Sequence, residues 1–202
     1  PVREQTPDLD HFIEPCELES YRFIHPYLYK RGMTDELIEK FDLGYDRALK
    51  AVTFPIKDVN GNVLFVAKRS VKTKRFYLPK DLNKPLCYLY EAQKYYFDSK
   101  ELYICESLFN SLTFFKFHMP AVAMLGTGTS EQIEILRSLG YRKYIICTDS
   151  DSAGERARKK LTQALSDVAF LDYIIPKEGT DINDYVFCKN RDEFFSKICL
   201  TS

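Results

Sequence analysis

The chain has 202 residues, 45% of them hydrophobic, enough to bury a real core in one or two small domains. Lys+Arg and Asp+Glu both number 29, so net charge alone selects no partner. No apolar stretch approaches the roughly 20 residues that cross a bilayer, and no signal peptide is visible. The six cysteines (Cys16, Cys87, Cys105, Cys147, Cys188, Cys199) include no C-x-x-C pair. That argues against zinc and fits reduced thiols in a cytoplasmic protein.

Residues 1–18 are polar and irregular, with Pro1, Pro7 and Pro15, and read as an arm or linker. Residues 19–40 show helical periodicity, with Thr34 as N-cap of a helix over Asp35 to Phe41. Two apolar runs follow, Ala51 to Ile56 and Val63 to Val66, separated by Asp58-Val59-Asn60-Gly61-Asn62. Asn-Gly between apolar runs signals a hairpin. Residues 19–98 therefore read as helices with a small antiparallel sheet. Between Lys68 and Lys84 stand Lys68, Arg69, Lys72, Lys74, Arg75, Lys80 and Lys84 against Asp81 alone, with Phe65, Phe76 and Tyr77 interleaved. A nucleic-acid backbone or a triphosphate would select such a stripe. A hairpin with a solvated, charged outer face is the alternative.

Residues 99–202 alternate strand and helix. Strands are expected at 102–105, 121–125, 143–147 and 169–175, with helices at 107–118, 130–139, 153–166 and near 191–200. Such alternation implies a parallel sheet covered by helices. Thr129 with Gln132 fits a capping box opening the second helix. Leu125-Gly126-Thr127-Gly128-Thr129 reads as a tight strand-to-helix turn. Contact of its amides with a phosphate is the alternative, although the G-K-[ST] ending is missing.

Chemistry concentrates at the strand ends. Leu102 to Cys105 ends in Glu106, and Tyr144 to Cys147 runs through Thr148 into Asp149-x-Asp151 and the small residues Ser152-Ala153-Gly154. The last strand is followed by Gly179-Thr180-Asp181-Ile182-Asn183-Asp184. A lone acid at a helix entry complements the dipole and means little. Three strands delivering acids to one sheet edge is different, because such carboxylates repel unless a cation joins them. Hard oxygen ligands of this kind suit Mg²⁺ or Mn²⁺.

Glu106, Asp149-x-Asp151 and Gly179-x-Asp181 resemble a Toprim domain, the metal-binding module of topoisomerases and primases. The resemblance extends upstream through Tyr29-x-Arg31-Gly32, Phe41-x-Leu43-Gly44-Tyr45, Phe54-Pro55-Ile56 and Asn60-Gly61. It continues through Arg69, Phe76-Tyr77-Leu78, and Lys84 ahead of Leu89-Tyr90-Glu91-Ala92. In that order these segments are similar to the RNA-polymerase core of bacterial-type, DnaG-like primases, over residues of about 20 to 190. The resemblance implies an α/β fold: a Toprim-type open sheet with helices on both faces, after a small mixed α/β subdomain. It also implies a nucleotidyltransferase, a DNA-directed RNA polymerase that makes short RNA primers from ribonucleoside triphosphates on single-stranded DNA. Glu106, Asp149 and Asp151 would be the catalytic metal ligands, assisted by Asp181 and Asp184, around two Mg²⁺ or Mn²⁺ ions. Arg69, Lys74, Arg75 and Lys84 would meet template or nucleotide, and DNA would lie in a basic groove.

The chain departs from that family's pattern in two places. Asn110 stands where an Asp usually follows the Glu, and Asn183 stands where the last motif often has a second Asp. Both changes remove negative charge. A preceding zinc domain and a following helicase-binding domain are expected to lie outside this sequence, which begins at Pro1. It reads either as an excised core or as a divergent, phage-type relative, with a replicative helicase as partner through the missing region. A Toprim nuclease or topoisomerase fragment and a non-catalytic nucleic-acid-binding module are the competing readings.

Overall fold

The computed structural model describes residues 15–80 and 83–198. Most of the expected N-terminal arm, Asp81 and Cys199 therefore lie outside the described residues. The chain divides into two compact units between Asn83 and Lys84.

The first unit opens with three short helices, α1 (Pro15–Glu19), α2 (Pro26–Lys30) and α3 (Asp35–Lys40). The helical periodicity of residues 19–40 is thus spread over separate helices, for a local reason. His25 caps α2 ahead of Pro26, and Thr34 Oγ1 accepts the Leu37 N–H to start α3. A side-chain acceptor at the cap supplies a bond that the helix cannot make for itself. Strands β1 (Gly44–Asp46), β2 (Ala51–Lys57), β3 (Val63–Ser70) and β4 (Phe76–Tyr77) form an antiparallel sheet in that order. The β2–β3 hairpin turns around Asn60-Gly61, where Asp58 Oδ1 accepts the N–H groups of Asn60 and Asn62. β2 is buried from Ala51 to Ile56. Pro55 is tolerated inside it because β1 pairs only with Ala51 to Thr53, leaving a partner strand on one side of the proline.

The second unit contains α4 (Leu89–Tyr95), β5 (Glu101–Cys105), α5 (Leu108–Lys116), β6 (Ala121–Ala123), α6 (Ser130–Ser138), β7 (Lys143–Cys147), α7 (Ser152–Leu165), β8 (Phe170–Ile174) and α8 (Arg191–Ile198). A 3₁₀ turn spans Ile182–Tyr185. The four strands are parallel, in the order β6-β5-β7-β8. Every expected element is present, within two or three residues at its ends. Thr129 and Gln132 form the expected capping box of α6. Among the described residues no helix is long and apolar enough to cross a membrane.

The division at residue 83 corrects the expected subdomain limit near residue 98. Residues after Asn83 belong with the parallel sheet because their bonds go there. Cys87 exchanges backbone hydrogen bonds of 2.9 and 3.0 Å with Ala123, beside β6. Gln132 Nε2 donates to the Pro85 carbonyl at 2.7 Å.

The topology selects one edge of this sheet. The chain leaves β5 through α5 toward β6 on one side, and leaves β7 through α7 toward β8 on the other. Adjacent strands with connections diverging in this way open a crevice outside their carboxyl ends, where such folds bind ligands. Glu106 and Asp149 follow β5 and β7 there.

Gly44 shows how tightly the first unit is built. A Cβ at this position would stand 2.0 Å from the Tyr21 carbonyl oxygen. Gly44→Ala is expected to lower unfolding stability by about 1–3 kcal/mol, as overpacking does, which a denaturant titration would measure.

Candidate active site

β5 and β7 pair in register, Cys105 opposite Cys147, so the residues leaving them emerge at the same height. Both cysteines are free and fully buried, which fixes that level from below. Glu106 then meets the next turn directly. The Asp149 backbone N–H donates to Glu106 Oε1 at 3.0 Å. Asp151 caps α7, its Oδ1 accepting the Gly154 N–H at 2.8 Å. Gly154 is required by close approach, since a Cβ there would stand 2.1 Å from the Asp149 carbonyl oxygen. The Asp-x-Asp-x-x-Gly spacing therefore has a mechanical meaning. Helix α7 begins directly against the backbone that carries the first acid.

The electrostatics are unfavourable by construction. Burial raises the Glu106 carboxyl above its ordinary pKa, and the charges of Asp149 and Asp151 add to that. The Asp149 N–H and the charge of Arg158 oppose the rise. Asp149 is likewise raised, by burial first, then by the charges of Asp181 and Asp151. Its Oδ1 is buried with no hydrogen-bond partner among the described residues.

Asp181 and Asp184 satisfy each other around the 3₁₀ turn. Asp181 Oδ1 accepts the Asp184 N–H at 3.1 Å, and Asp184 Oδ2 accepts the Asp181 N–H at 2.8 Å. Asp184 is thus engaged as a capping partner, while Asp181 is the acid whose charge bears on Asp149. Among the described residues no three Asp, Glu, His or Cys side chains stand together as a ready chelate. The acids share an edge and a field, but backbone N–H groups hold several of their oxygens. The donor set still fits a hard divalent cation. All its groups are oxygens, and the orphaned Asp149 Oδ1 is a buried charge-bearing atom of the kind a cation satisfies.

Two basic residues escaped the sequence reading. Arg158 donates to the fully buried Thr148 Oγ1 at 2.7 Å and places its charge beside Glu106. Its only sequence signal is a position seven residues after Asp151, two turns along the same helix face. Lys160 Nζ donates to the Gly128 carbonyl at 2.7 Å, and Lys84 Nζ to the Leu125 carbonyl at 2.8 Å. The same 125–129 loop bonds to the site, through the Gly126 N–H on the Glu106 carbonyl at 3.2 Å. That loop is the tight turn expected from its sequence, and its carbonyls anchor two ammonium groups.

The basic stripe is split between the units. Lys84 belongs to the second, and Lys68, Arg69, Lys72, Lys74, Arg75 and Lys80 to the first. Lys68 is not an outward charge, which corrects its place in the stripe. It pairs with Asp46 at 2.8 Å and bonds to the Tyr21 hydroxyl at 3.0 Å, both groups largely buried. Arg69 bonds to the Tyr27 hydroxyl and lies 5.8 Å from the centre of the Phe76 ring. Arg75 is exposed and stacks over Tyr77 at 4.7 Å, and Lys74 is exposed.

The raised carboxyls fix a sign for stability against pH. A group whose pKa is higher folded than unfolded stabilises the fold while protonated, and that contribution is lost as pH rises through its folded value. Without divalent ions, Asp149→Asn is therefore expected to melt a few degrees above wild type at pH 7. The difference should vanish below the ordinary aspartate value of 3.8. Scanning calorimetry in chelator across that range checks it, and a lower melting point for the variant at pH 7 would contradict it.

Comparison with known proteins relates the chain to others by sequence and by fold. Residues 103–186 match the family described as Toprim-like. The chain is 28% identical to a DNA primase of Enterococcus faecalis, over 79% of this chain and 34% of that protein. It is 27% identical to the Haemophilus influenzae DNA primase, over 83% and 37%, and 30% identical to that of Pseudomonas aeruginosa, over 80% and 26%. The chain thus spans about a third of the length of the curated relatives it matches. Among solved structures it resembles a DnaG catalytic core with a TM-score of 0.72 at 22% identity, covering 92% of this chain and 73% of that one. A DNA primase domain from Pseudomonas aeruginosa gives 0.76 at 22% identity, over 92% and 76%. A DnaG primase catalytic domain bound to single-stranded DNA gives 0.72 at 23% identity, over 85% and 69%. Residues 103–186 are therefore similar to the Toprim-like family, within a chain that shares the mixed α/β fold of the DnaG primase catalytic core.

Proposed function

We propose that this chain is the catalytic core of a cytoplasmic DNA primase, joining ribonucleotides into short RNA primers on a single-stranded DNA template. The observation that carries the reading is the buried Asp149 Oδ1 at the crevice between β5 and β7, without a hydrogen-bond partner among the described residues and coupled by charge to Asp151 and Asp181. The primase relatives and the fold support it.

Glu106, Asp149, Asp151 and Asp181 would hold Mg²⁺ or Mn²⁺, with Asp184 steadying Asp181. A cation held there would supply the charge that lowers the pKa of the primer 3′-hydroxyl and offsets that of the triphosphate. The new bond joins the primer 3′-oxygen to the α-phosphorus, and the α–β phosphoanhydride bond breaks to release pyrophosphate. Such transfer asks little covalent chemistry of the protein, so positioning and charge do the work. The Asp149 N–H orients Glu106, and the Asp151 cap and Gly154 fix the turn that carries Asp149. Lys84, held on the Leu125 carbonyl of the loop that bonds to Glu106, meets the triphosphate. Arg69, Lys74 and Arg75 meet template phosphates, and the flanking rings offer faces for bases to stack on. A replicative helicase would engage through sequence outside these residues.

Labelled ribonucleotides, single-stranded DNA and Mg²⁺ or Mn²⁺ test the reading. RNA longer than the input nucleotide is expected, falling to background in Asp149→Ala and Glu106→Ala. Shortened DNA would indicate a nuclease instead, and binding without product a non-catalytic module. DNA affinity should fall with salt at a slope of about −0.7 per phosphate neutralised. Lys74→Ala should remove roughly one contact from that slope, whereas Lys68→Ala should act through stability.

A further inference from the structure

Two amides follow the acids of this site closely in the chain, and both are buried. Asn110 follows Glu106 by one turn of α5 and is 2% exposed, and Asn183 follows Asp181 by two residues and is 3% exposed. They hold each other across 73 residues of chain. The Asn183 backbone N–H donates to Asn110 Oδ1 at 3.2 Å, and Asn183 Nδ2 donates to Thr113 Oγ1 at 3.0 Å. Thr113 is fully buried, and its hydroxyl donates onward to the Phe109 carbonyl at 2.9 Å. The 3₁₀ turn that presents Asp181 is thus fastened to the helix that follows Glu106. Asp184 closes the other side of the turn through the capping box.

The choice of amides has a consequence for charge. Glu106 and Asp149 leave neighbouring in-register strands and already crowd one sheet edge. A carboxylate at either amide position would add a buried charge that ionises only with a cation beside it. An amide keeps the hydrogen bonds and adds none.

We infer that Asn110, Asn183 and Thr113 form a neutral positioning clamp, which fixes Asp181 at the site without supplying a ligand and leaves carboxylates for one tightly held divalent ion. This departs from the two ions that the family resemblance implies. It rests on the metal-site part of the proposed function, not on primer synthesis.

A Mn²⁺ titration of residues 1–202, followed by electron paramagnetic resonance, reads both affinity and stoichiometry. One tight Mn²⁺ per chain is expected. Asn110→Ala should weaken that ion about 10- to 100-fold, the usual effect of removing a group that orients a metal ligand. Thr113→Val removes one acceptor at nearly constant shape and should weaken the same ion by less, which keeps the test open if Asn110→Ala fails to fold. Asn110→Asp preserves the acceptor for the Asn183 N–H, so it should retain the first ion and gain a second. Two equally tight ions in wild type, an affinity unmoved in the folded clamp variants, or no second ion in Asn110→Asp would each overturn the inference. Mn²⁺ binding as expected without RNA synthesis would overturn the primase reading and leave the clamp standing. Primer synthesis with Mn²⁺ affinity unmoved by the clamp variants would do the reverse.

Discussion

Neighbouring parallel strands carry Glu106 and Thr148 to the same height, which brings Asp149, one residue on, against Glu106, and two half-buried carboxylates so placed repel. The in-register pairing of Cys105 with Cys147 makes this proximity unavoidable. The surrounding structure limits the repulsion without abolishing it. The Asp149 N–H reaches Glu106, Arg158 adds a positive charge, and Asp151 is drawn to the start of α7. Among the described residues, Asp149 Oδ1 finds no hydrogen-bond partner. A fold selected only for stability would have replaced these acids with apolar residues of similar volume.

The same constraint explains features that look unrelated. Gly154 lets α7 start against the Asp149 backbone, so that the helix N-terminus and its cap lie beside the acids. The 125–129 loop is tied to Glu106 from one side while Lys84 and Lys160 hold its carbonyls. Asn110 and Asn183 fasten the Asp181 turn without adding charge. Each device positions a charged group at one sheet edge.

The sequence displayed this edge well, because strand-end acids follow short apolar runs that need only local patterning to be seen. The Thr34 and Thr129 caps, the Asn60-Gly61 hairpin and the four parallel strands are local signals of the same kind. What it concealed depends on partners distant in the chain. Lys68 reads as part of a basic stripe, yet Asp46 and Tyr21 take it inward. Arg158 and Lys160 read as ordinary solvated helix charges until Thr148 and Gly128 are found beside them. The unit boundary moved to residue 83 because Cys87 bonds to Ala123, a pairing no periodicity announces. Asn110 and Asn183 read as two separate losses of charge, and only the fold shows that they are partners.

The central claim is that the crevice between β5 and β7 is a divalent-cation site built on Asp149. Crystals of residues 1–202 soaked in Mn²⁺ and measured at an X-ray energy where manganese scatters anomalously test it most directly. The account predicts an anomalous peak bonded to Asp149 Oδ1, with oxygens of Glu106, Asp151 or Asp181 completing its shell. Saturating Mn²⁺ that leaves this crevice without a peak, or that binds only at other acids, would contradict it.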